Sequence, residues 1–526
     1  MKSAVISSTA AAPAVAAPVV SKGLRLYLYL TAAVAGAAVM IVEILGAKML
    51  SPYVGMSHFV WTAQIAVTLM ALASGYYAGG RLADRSQRLT ALYWALLGAA
   101  VYLALTVLLC APVAYRCLDL NLAVGSLLAS AILFFIPLAL LAITGPFLVR
   151  VITSSVAGVG GNVGRLTSVS TLGSFAGTLV IGYLAIPHLP NSFTMYATAA
   201  ALLLLCAGYF GVFYRKSVAP LVLIFAIVCA LGAGMLWRPL REYRYVIELF
   251  RGNSHFGQLQ VLDVRNGNCR YYLNDNLIQN TYDPVTHQSE SAFTYLLAGL
   301  ARAYTTNITD VLCIGLGVGI VPMDFANRGA NVDVVEINPA VVPVGQRFFG
   351  LDPAKLHISL DDGRHYLNRC RKQYDVVVLD AFLGDSSPSH LLTREAFASI
   401  GKVLRPSGTL VINSFGDLSP GRDFFTASLY KTLKAVFPGV RIHDCGNGGI
   451  FFVATHRPNP AFAHPPELAN LHPDAQRYTD AGFADVVETR PGDGRVLTDD
   501  YNPIEFYDAR NREEIRRHLA LWAKDM

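Results

Sequence analysis

Seven long apolar stretches in the N-terminal half constrain the fold of this 526-residue chain more than any other feature. Hydrophobic residues make up 53% of the sequence and charged residues only 15%, and residues 24–237 hold almost no acids. About 20 apolar residues are enough to cross a hydrocarbon core of ~30 Å. No stretch has the polar face that a surface helix of a soluble bundle shows. The sequence therefore predicts a membrane domain of about seven spans, at residues 26–48, 59–80, 90–112, 122–149, 167–187, 193–214 and 219–237.

Composition divides the chain into four predicted parts. Residues 1–23 are an Ala/Val/Pro/Ser-rich leader without a signal-peptide layout, predicted to be disordered. Residues 24–238 are the transmembrane helical domain. Residues 239–304 combine short β-branched and aromatic segments, broken by an Asn266-Gly267 turn signal, with a linking helix, which predicts a small antiparallel sheet. In residues 305–526 strand and helix patterns alternate, which predicts an α/β Rossmann-like domain of the methyltransferase type, with a Pro/His/Asp-rich connector at 456–495.

The charges between the apolar stretches give conflicting expectations about topology. Arginines such as Arg81, Arg85 and Arg150 collect on one face, which orients the amino terminus to the cytoplasm. Seven crossings then place the C-terminal domain outside, whereas an enzyme that uses a cytosolic nucleoside belongs inside. A re-entrant segment at 167–187, an eighth crossing or an external domain would each resolve the conflict, and the sequence leaves all three open.

Two features inside the apolar stretches carry separate expectations. Glu43 lies in the first predicted span, where a carboxylate contacts substrate or a proton, or pairs with Lys48 or a neighbouring arginine. Gly75 and Gly79 form a small-residue face that predicts close contact between helices.

A glycine-rich loop opens the predicted Rossmann-like domain. The apolar run 311–314 ends in Gly315, Gly317 and Gly319, and Glu336 follows at the tip of the next predicted strand, 21 positions after Gly315. Alternate glycines let the backbone approach a ligand, and an acid at that tip can bind two ribose hydroxyls. The pattern predicts a nucleoside-binding βαβ unit. Its Gly-x-Gly-x-Gly spacing favours an adenosyl-sulfonium ligand over a dinucleotide.

Further acids follow predicted strands at the same edge of the sheet. Asp362, before Gly363, is either an adenine contact or the N-cap of the next helix. Asp380, after a buried strand, is either a proton acceptor or a turn cap. Asp385 lies in a loop placed to cover the ligand, and Asp499 with Asp500 forms either a second acidic pair or turn caps.

Other function classes lack support in the sequence. Eight cysteines and twelve histidines show no metal-ligand spacing, so no metal site and no tightly bound cofactor is predicted. His365 and His287 are candidates for substrate contact only. The net charge of +6 comes from arginines that flank apolar stretches, a pattern that does not indicate nucleic-acid binding.

Residues 240–455 resemble the polyamine aminopropyltransferase (spermidine synthase) family, in particular its branch fused to an N-terminal multi-span membrane domain. The matching positions are Leu273-Asn274-Asp275-x-x-x-Gln279, Glu290, the Gly315 loop, Val335-Glu336-Ile337-Asn338, Asp362-Gly363, and Tyr374-Asp375-x-x-x-x-Asp380 through Pro388. The ending Thr498-Asp499-Asp500-Tyr501-Asn502-Pro503 is similar to that of the fused branch.

The resemblance implies a reaction and roles for its residues. Decarboxylated S-adenosylmethionine would donate an aminopropyl group to putrescine or a related amine, giving spermidine and methylthioadenosine. Asp380 matches the family's proton acceptor, and Glu336 matches its ribose ligand. Asp362-Gly363 and Pro388 match the adenine pocket. On the substrate side the implied residues are Gln279, Glu290 and Asp385.

The chain also departs from the family pattern. Val318 stands where the family's glycine loop carries an Asp that holds the donor amine, Ser289 replaces a His, and Leu383 replaces a second acid. These departures keep two alternatives open. One is an S-adenosylmethionine-dependent methyltransferase acting on a membrane or envelope substrate, and the other is a transporter or sensor with a degenerate nucleoside-binding domain.

The apolar N-terminal half and the C-terminal half each imply a partner. These partners are a small-molecule amine and the lipid bilayer, with no nucleic acid and with a homodimer as one option for assembly. The expected location is the cell membrane, as a multi-pass protein whose soluble domain has an unassigned side.

Overall fold

The structure, a computed structural model, describes residues 21–55, 58–153, 158–214, 218–236, 245–264, 267–275, 277–382, 388–487 and 494–507, together with residues 514 and 517. Residues 1–20 of the predicted leader lie outside this range. The leader prediction is wrong at its end, because Ser21 caps a helix that begins at Lys22.

The N-terminal half consists of helices at every stretch predicted to span. They are α1 (Lys22–Val54), α2 (His58–Arg85), α3 (Leu89–Cys117), α4 (Leu122–Ile152), α5 (Val159–His188), α6 (Asn191–Phe213) and α7 (Ala219–Leu236). Within the described residues, five of these helices are long and apolar enough to cross a membrane, namely α1, α3, α4, α5 and α6. The count of seven spans therefore stays a prediction.

Helices α2 and α4 come into close contact at Gly75 and Gly79, as the sequence predicted. A Cβ atom at Gly75 would lie 2.2 Å from the Ala139 carbonyl oxygen, and one at Gly79 would lie 2.7 Å from that of Ile143. Only glycine at these positions lets the backbones of α2 and α4 come this close. Among the residues that the structure describes, no ion pair joins Glu43 to Lys48, and the alternatives of a substrate or proton contact and of an arginine partner stay predictions.

A five-stranded antiparallel sheet follows the helices. Its strands, in sequence and spatial order, are β1 (Val246–Ser254), β2 (Gly257–Val264), β3 (Arg270–Asn274), β4 (Leu277–Asp283) and β5 (Gln288–Ser289). Asp263 pairs with Arg270 across the predicted hairpin turn, which confirms the hairpin although Asn266 lies outside the described residues. The sheet extends further than predicted, since β4 and β5 continue it up to helix α8 (Ala292–Tyr304).

The C-terminal half is the expected Rossmann-like α/β domain. Its seven-stranded sheet has the spatial order β11-β12-β10-β9-β6-β7-β8, with β11 and β12 joined as an antiparallel hairpin. The strands are β6 (Asp310–Ile314), β7 (Asn331–Glu336), β8 (His357–Leu360), β9 (Tyr374–Leu379), β10 (Leu404–Phe415), β11 (Gly439–Asp444) and β12 (Gly449–Thr455). The helices are α9 (Ile320–Asn327), α10 (Val341–Phe348), α11 (Gly363–Arg369), α12 (Arg394–Val403) and α13 (Phe424–Lys434), followed by α14 (Pro473–Ala484) and α15 (Ile504–Tyr507).

The strand order decides where a ligand can lie. Strands β6, β7, β8 and β9 are parallel, so their carboxyl ends meet at one edge. Ligands of such sheets bind in the crevice outside that edge. The predicted connector at 456–495 is wrong in part, because α14 forms within it and packs against α8.

Candidate active site

A cavity of about 680 Å³ lies between the small sheet and the carboxyl edge of the large sheet. Parallel strands β6, β7 and β9 end at this cavity, and β4, α14 and the β11–β12 hairpin close its other sides. The predicted residues that line it are Gly315, Gly317, Glu336, Asp362, Gly363, Asp380, Pro388, Gln279 and Glu290. Asp385 lies outside the described residues.

The glycine loop brings the ends of two strands into contact. Gly315 has a φ of +99°, and a Cβ atom there would lie 2.1 Å from the carbonyl oxygen of Asp380. Gly319, also left-handed at +93°, starts α9 and packs against Leu351, and it is absent from the cavity lining. Gly315 and Gly317 thus face the cavity, while the third glycine is required for helix packing.

Glu336 is held in place by the backbone. One carboxylate oxygen accepts a hydrogen bond from the Leu316 N–H at 2.9 Å and the other accepts one from the Asn338 N–H at 2.8 Å. Burial raises the pKa of Glu336, and these N–H donors act against that rise. Each oxygen keeps a further lone pair for a donor from the cavity, as two ribose hydroxyls would supply.

Asp362 is the N-cap of α11, as one of its two predicted roles required, and it also lines the cavity, while the adenine contact stays a prediction. One oxygen accepts hydrogen bonds from the backbone N–H groups of Arg364 and His365, so it caps α11. The other oxygen lies 3.0 Å from Nε2 of His390, which also lines the cavity. Burial acts to raise its pKa, but the N–H donors and the His390 ring outweigh burial and lower it. Asp362 is therefore a fixed anion in the wall of the cavity.

Asp380 follows β9, whose six residues are all buried. Its backbone N–H donates to the Ile314 carbonyl at 3.0 Å, which fixes it beside the glycine loop. Its carboxylate accepts a hydrogen bond from Nδ2 of Asn413 at 2.9 Å. Burial raises the pKa of Asp380 to about 6, and the Asn413 amide limits the rise. A carboxylate with this pKa is ionised near neutral pH and still accepts a proton readily.

Asn413 is a site residue that the sequence reasoning missed. It lies near the end of β10, beside β9, and the rule that strand ends face the ligand would have indicated it. His390, Asp474 and Tyr478 also line the cavity without having been predicted. Asp474 and Tyr478 lie on α14, in the segment taken for a connector, and local sequence carries no signal that this helix returns to the site.

Glu290 lies at the side of the cavity that α14 closes. Its carboxylate accepts a hydrogen bond from the Cys269 thiol, at 2.8 Å between Sγ and oxygen. Burial and this carboxylate raise the pKa of Cys269 to about 12, so the thiol stays protonated. Ligand atoms of Glu290, His472 and Asp474 lie within 4.8 Å of one another, and this is the sole metal-capable group among the residues that the structure describes.

The remaining candidates lie away from the cavity. The Val318 side chain is 1% exposed and packs in an apolar cluster with Tyr272 and Val344. Asp499 accepts hydrogen bonds from Thr393 and from Arg364, so it ties the C-terminal segment to α11 and α12. His365, His287 and Asp500 do not line the cavity either.

Comparisons with known proteins find relatives of the C-terminal half. Residues 290–441 match the model of the spermine/spermidine synthase domain. A polyamine aminopropyltransferase of Vibrio vulnificus is 28% identical over 311 residues, which cover 55% of this chain and 98% of the relative. An N-terminal histidine N-methyltransferase of Emericella nidulans is 33% identical over 139 residues, 26% of this chain and 24% of the relative. Among solved structures, spermidine synthase from Thermotoga maritima aligns with 45% of this chain and 84% of its own, at 16% identity and a TM-score of 0.36.

Proposed function

We propose that this chain is a transferase of the polyamine aminopropyltransferase type and that it transfers an aminopropyl group to a small amine. The match of residues 290–441 to the spermine/spermidine synthase domain and the similarity to the V. vulnificus aminopropyltransferase support this proposal. The donor is decarboxylated S-adenosylmethionine, and the acceptor is putrescine or a related amine. The observation that carries the proposal is Asp380, a carboxylate with a pKa of about 6 beside the glycine loop in one cavity with Glu336.

The proposed step is an in-line displacement. The lone pair of a neutral amine nitrogen attacks the carbon next to the sulfonium, the carbon–sulfur bond breaks, and its electron pair neutralises the sulfur as methylthioadenosine. The new secondary ammonium then releases a proton, for which Asp380 is the nearest proposed acceptor. Since donor and acceptor are both reactive, the protein contributes mainly by holding them in line and by keeping the amine neutral.

The donor half of the cavity supports a nucleoside. Glu336 would bind the ribose, Asp362 and Gly363 would contact adenine, and Pro388 would form a wall of that pocket. Gln279, Glu290 and Asp385 are the proposed contacts of the amine. Backbone N–H groups already hold the carboxylates of Glu336 and Asp362 in place. These side chains therefore lose little conformational entropy when a ligand binds.

The membrane half supports a cell-membrane location. We propose that the chain is a multi-pass membrane protein with residues 24–238 as its helical domain. Five described helices long and apolar enough to cross a bilayer support this.

A second candidate function is methyl transfer to an amine. The buried Val318 offers no acid to the donor at the position where the resembling family has one, so a donor that keeps its carboxylate is less disfavoured. The E. nidulans relative, by its name an N-terminal histidine N-methyltransferase, is the second support. Aminopropyl transfer remains the first proposal, because the V. vulnificus aminopropyltransferase aligns over nearly its whole length.

One assay on the full chain in detergent separates these functions. The protein is incubated with each sulfonium donor, with and without putrescine, and the thioether nucleoside is identified by mass spectrometry. Methylthioadenosine formed only with putrescine supports the first proposal. Adenosylhomocysteine formed with S-adenosylmethionine and an amine acceptor supports the second. Donor binding without either product contradicts both and supports a sensor or transporter.

A further inference from the structure

The ends of the membrane helices show which loops share a face of the membrane domain. Val54, at the end of α1, lines a small cavity together with Leu118 and Leu120, which follow α3. The rings of Tyr53 and Tyr115 also meet there, with centroids 5.1 Å apart. The end of α1 and the α3–α4 loop therefore lie on one face, the face reached after an odd number of crossings.

The soluble half is seated on this same face. Arg517 lines the small cavity, and its Nε donates a hydrogen bond to the Leu118 carbonyl at 2.7 Å. On another side, Nδ2 of Asn253 in β1 donates to the Leu189 carbonyl at 2.8 Å, in the loop between α5 and α6. The loops that follow α3 and α5 thus both contact the C-terminal half.

The opposite face is formed by the other helix ends and is rich in arginine. Arg150, near the end of α4, lies 3.9 Å from Asp84, near the end of α2. Basic residues at the start of α1 and around the α2–α3 and α4–α5 connections belong to this face, namely Lys22, Arg25, Arg81, Arg85, Arg88, Arg150 and Arg165. In the sequence, Arg215 and Lys216 follow α6. The face with the soluble half carries Lys48 and Arg116 at its helix ends.

This asymmetry gives the membrane domain an orientation. Lys and Arg in short loops next to membrane spans remain in the cytoplasm. The re-entrant alternative, which would have returned the soluble half to that side, is not what the structure has, because α5 runs as one helix from Val159 to His188. At about 1.5 Å per residue, the 18 residues of α7 extend ~27 Å, and because α7 links α6, which ends on the arginine face, to the soluble half on the opposite face, the proposed orientation requires α7 to cross.

We propose that the catalytic domain is docked on the non-cytoplasmic face of the membrane, against the α3–α4 and α5–α6 loops, and that its acceptor is an amine presented on that side. The second clause rests on the function proposed above, whereas the orientation rests on the helix ends and charges alone. The donor, a charged nucleoside, then has to reach the far side of the membrane before the reaction.

Cysteine labelling of the full chain in intact cells tests the orientation. Two exposed glutamines provide a matched pair, since Gln87 lies in the α2–α3 loop on the arginine face and Gln373 lies before β9 in the soluble half. Gln87→Cys and Gln373→Cys are each treated with a membrane-impermeant maleimide before and after the cells are permeabilised. The unsubstituted chain sets the background from its half-buried thiols, such as Cys269 and Cys370.

We expect Gln373→Cys to be labelled in intact cells and Gln87→Cys only after permeabilisation. Labelling of Gln87→Cys in intact cells, or of Gln373→Cys only in permeabilised cells, would overturn the proposed orientation. Labelling reports position and not turnover, so a chain inactive in the detergent assay can still confirm the orientation, and an active chain can still contradict it.

Discussion

Asp380 is the residue on which the proposed chemistry depends most. It is fixed by its own backbone N–H, by the close approach of Gly315 and by the amide of Asn413. These contacts leave the carboxylate beside the cavity at the end of a fully buried strand. A group held in this way loses little freedom when the amine binds, which favours proton transfer in a fixed geometry.

Asp380→Asn should lower kcat by about 10²–10⁴-fold while the dissociation constant of the donor changes little, because the amide keeps the shape but accepts no proton. Steady-state kinetics and calorimetric titration with the donor measure the two quantities. Asp352→Asn, at a partly exposed turn cap that is not part of the cavity lining, is the matched control. Full turnover of Asp380→Asn would remove this residue from its proposed role.

The raised pKa of Asp380 predicts a pH dependence. Only the ionised carboxylate accepts a proton, so kcat/KM should rise with pH through the region of about 6 and level off above it. Deprotonation of the amine, near the pKa of ~10 of an ordinary alkylamine, adds a separate rise at alkaline pH. In Asp380→Asn the lower rise should vanish and the upper one remain. A lower rise that persists in the variant would assign it to another group.

Among the elements, the junction of β6 and β9 positions both halves of the site. Gly315 follows directly after β6, and because it has no side chain, the chain after β9 can pass it at contact distance. The same loop donates the Leu316 N–H to Glu336 at the end of β7. The loop after β6 thus contacts the ends of both neighbouring strands, β7 and β9. A displacement of this loop would therefore move Glu336 and Asp380 together.

Gly315→Ala should destabilise the fold and weaken donor binding at least tenfold. Gly329→Ala is the matched control, because Gly329 has a similar φ of +91° but open space around a new Cβ. Both variants incur the cost of about 1–2 kcal/mol for a left-handed alanine, and only the first adds the clash with the Asp380 carbonyl. Equal melting temperatures and equal donor affinities for the two variants would contradict the importance of the close approach.

The C-terminal segment 494–507 is a second element that supports the site. Leu497 is fully buried, and its carbonyl accepts a hydrogen bond from the Arg394 N–H at 2.8 Å. Asn502 donates to the Ser389 carbonyl at 2.8 Å, next to Pro388 and His390 in the cavity wall. The segment therefore holds the wall of the proposed adenine pocket from behind.

Leu497→Ala should lower the stability of the soluble half by about 2–5 kcal/mol, since it removes a buried side chain and leaves a cavity. Its neighbour Val496 is 39% exposed, and Val496→Ala should change stability by no more than about 0.5 kcal/mol. Thermal unfolding of both variants in detergent measures the difference. Unfolding of Leu497→Ala at the temperature of the parent chain would show that the segment is dispensable.

At the scale of the whole molecule, the two halves are joined by the chain and by the Asn253 and Arg517 contacts. The helical half has five long apolar helices and many large apolar side chains that are exposed to the surroundings of the chain, which marks an interaction surface. Examples are Leu26, Leu69 and Tyr183, which are 73%, 61% and 72% exposed and point away from the other helices.

The full chain should remain in the membrane fraction after a wash with alkaline carbonate, which removes proteins bound only at the surface. A chain held by spanning helices is released only when detergent replaces the lipid. Quantitative immunoblotting of pellet and supernatant measures the distribution, with a soluble cytosolic enzyme of the same cells as the control. Release into the carbonate supernatant would contradict membrane-spanning helices.

The sequence alone determined what depends on local periodicity. Apolar stretches of spanning length, strands that end in glycine or acid, and the alternation of strands and helices are set by neighbouring residues. The predicted apolar run 311–314, for example, forms strand β6 (Asp310–Ile314). The carboxyl-edge rule also gathered Gly315, Glu336, Asp362 and Asp380, which the structure places along one cavity.

Only the tertiary structure decided which distant segments complete the cavity and how the halves meet. Asp474 reaches the site because α14 packs against α8, and Asn413 meets Asp380 because β10 pairs with β9. The sequence shows that Val318 replaces an acid of the resembling family, but it does not show where the Val318 side chain lies. Only the packing shows that this side chain belongs to a buried apolar cluster. These are contacts between residues far apart in the chain, and their free energy depends on the assembled packing, which no local pattern contains.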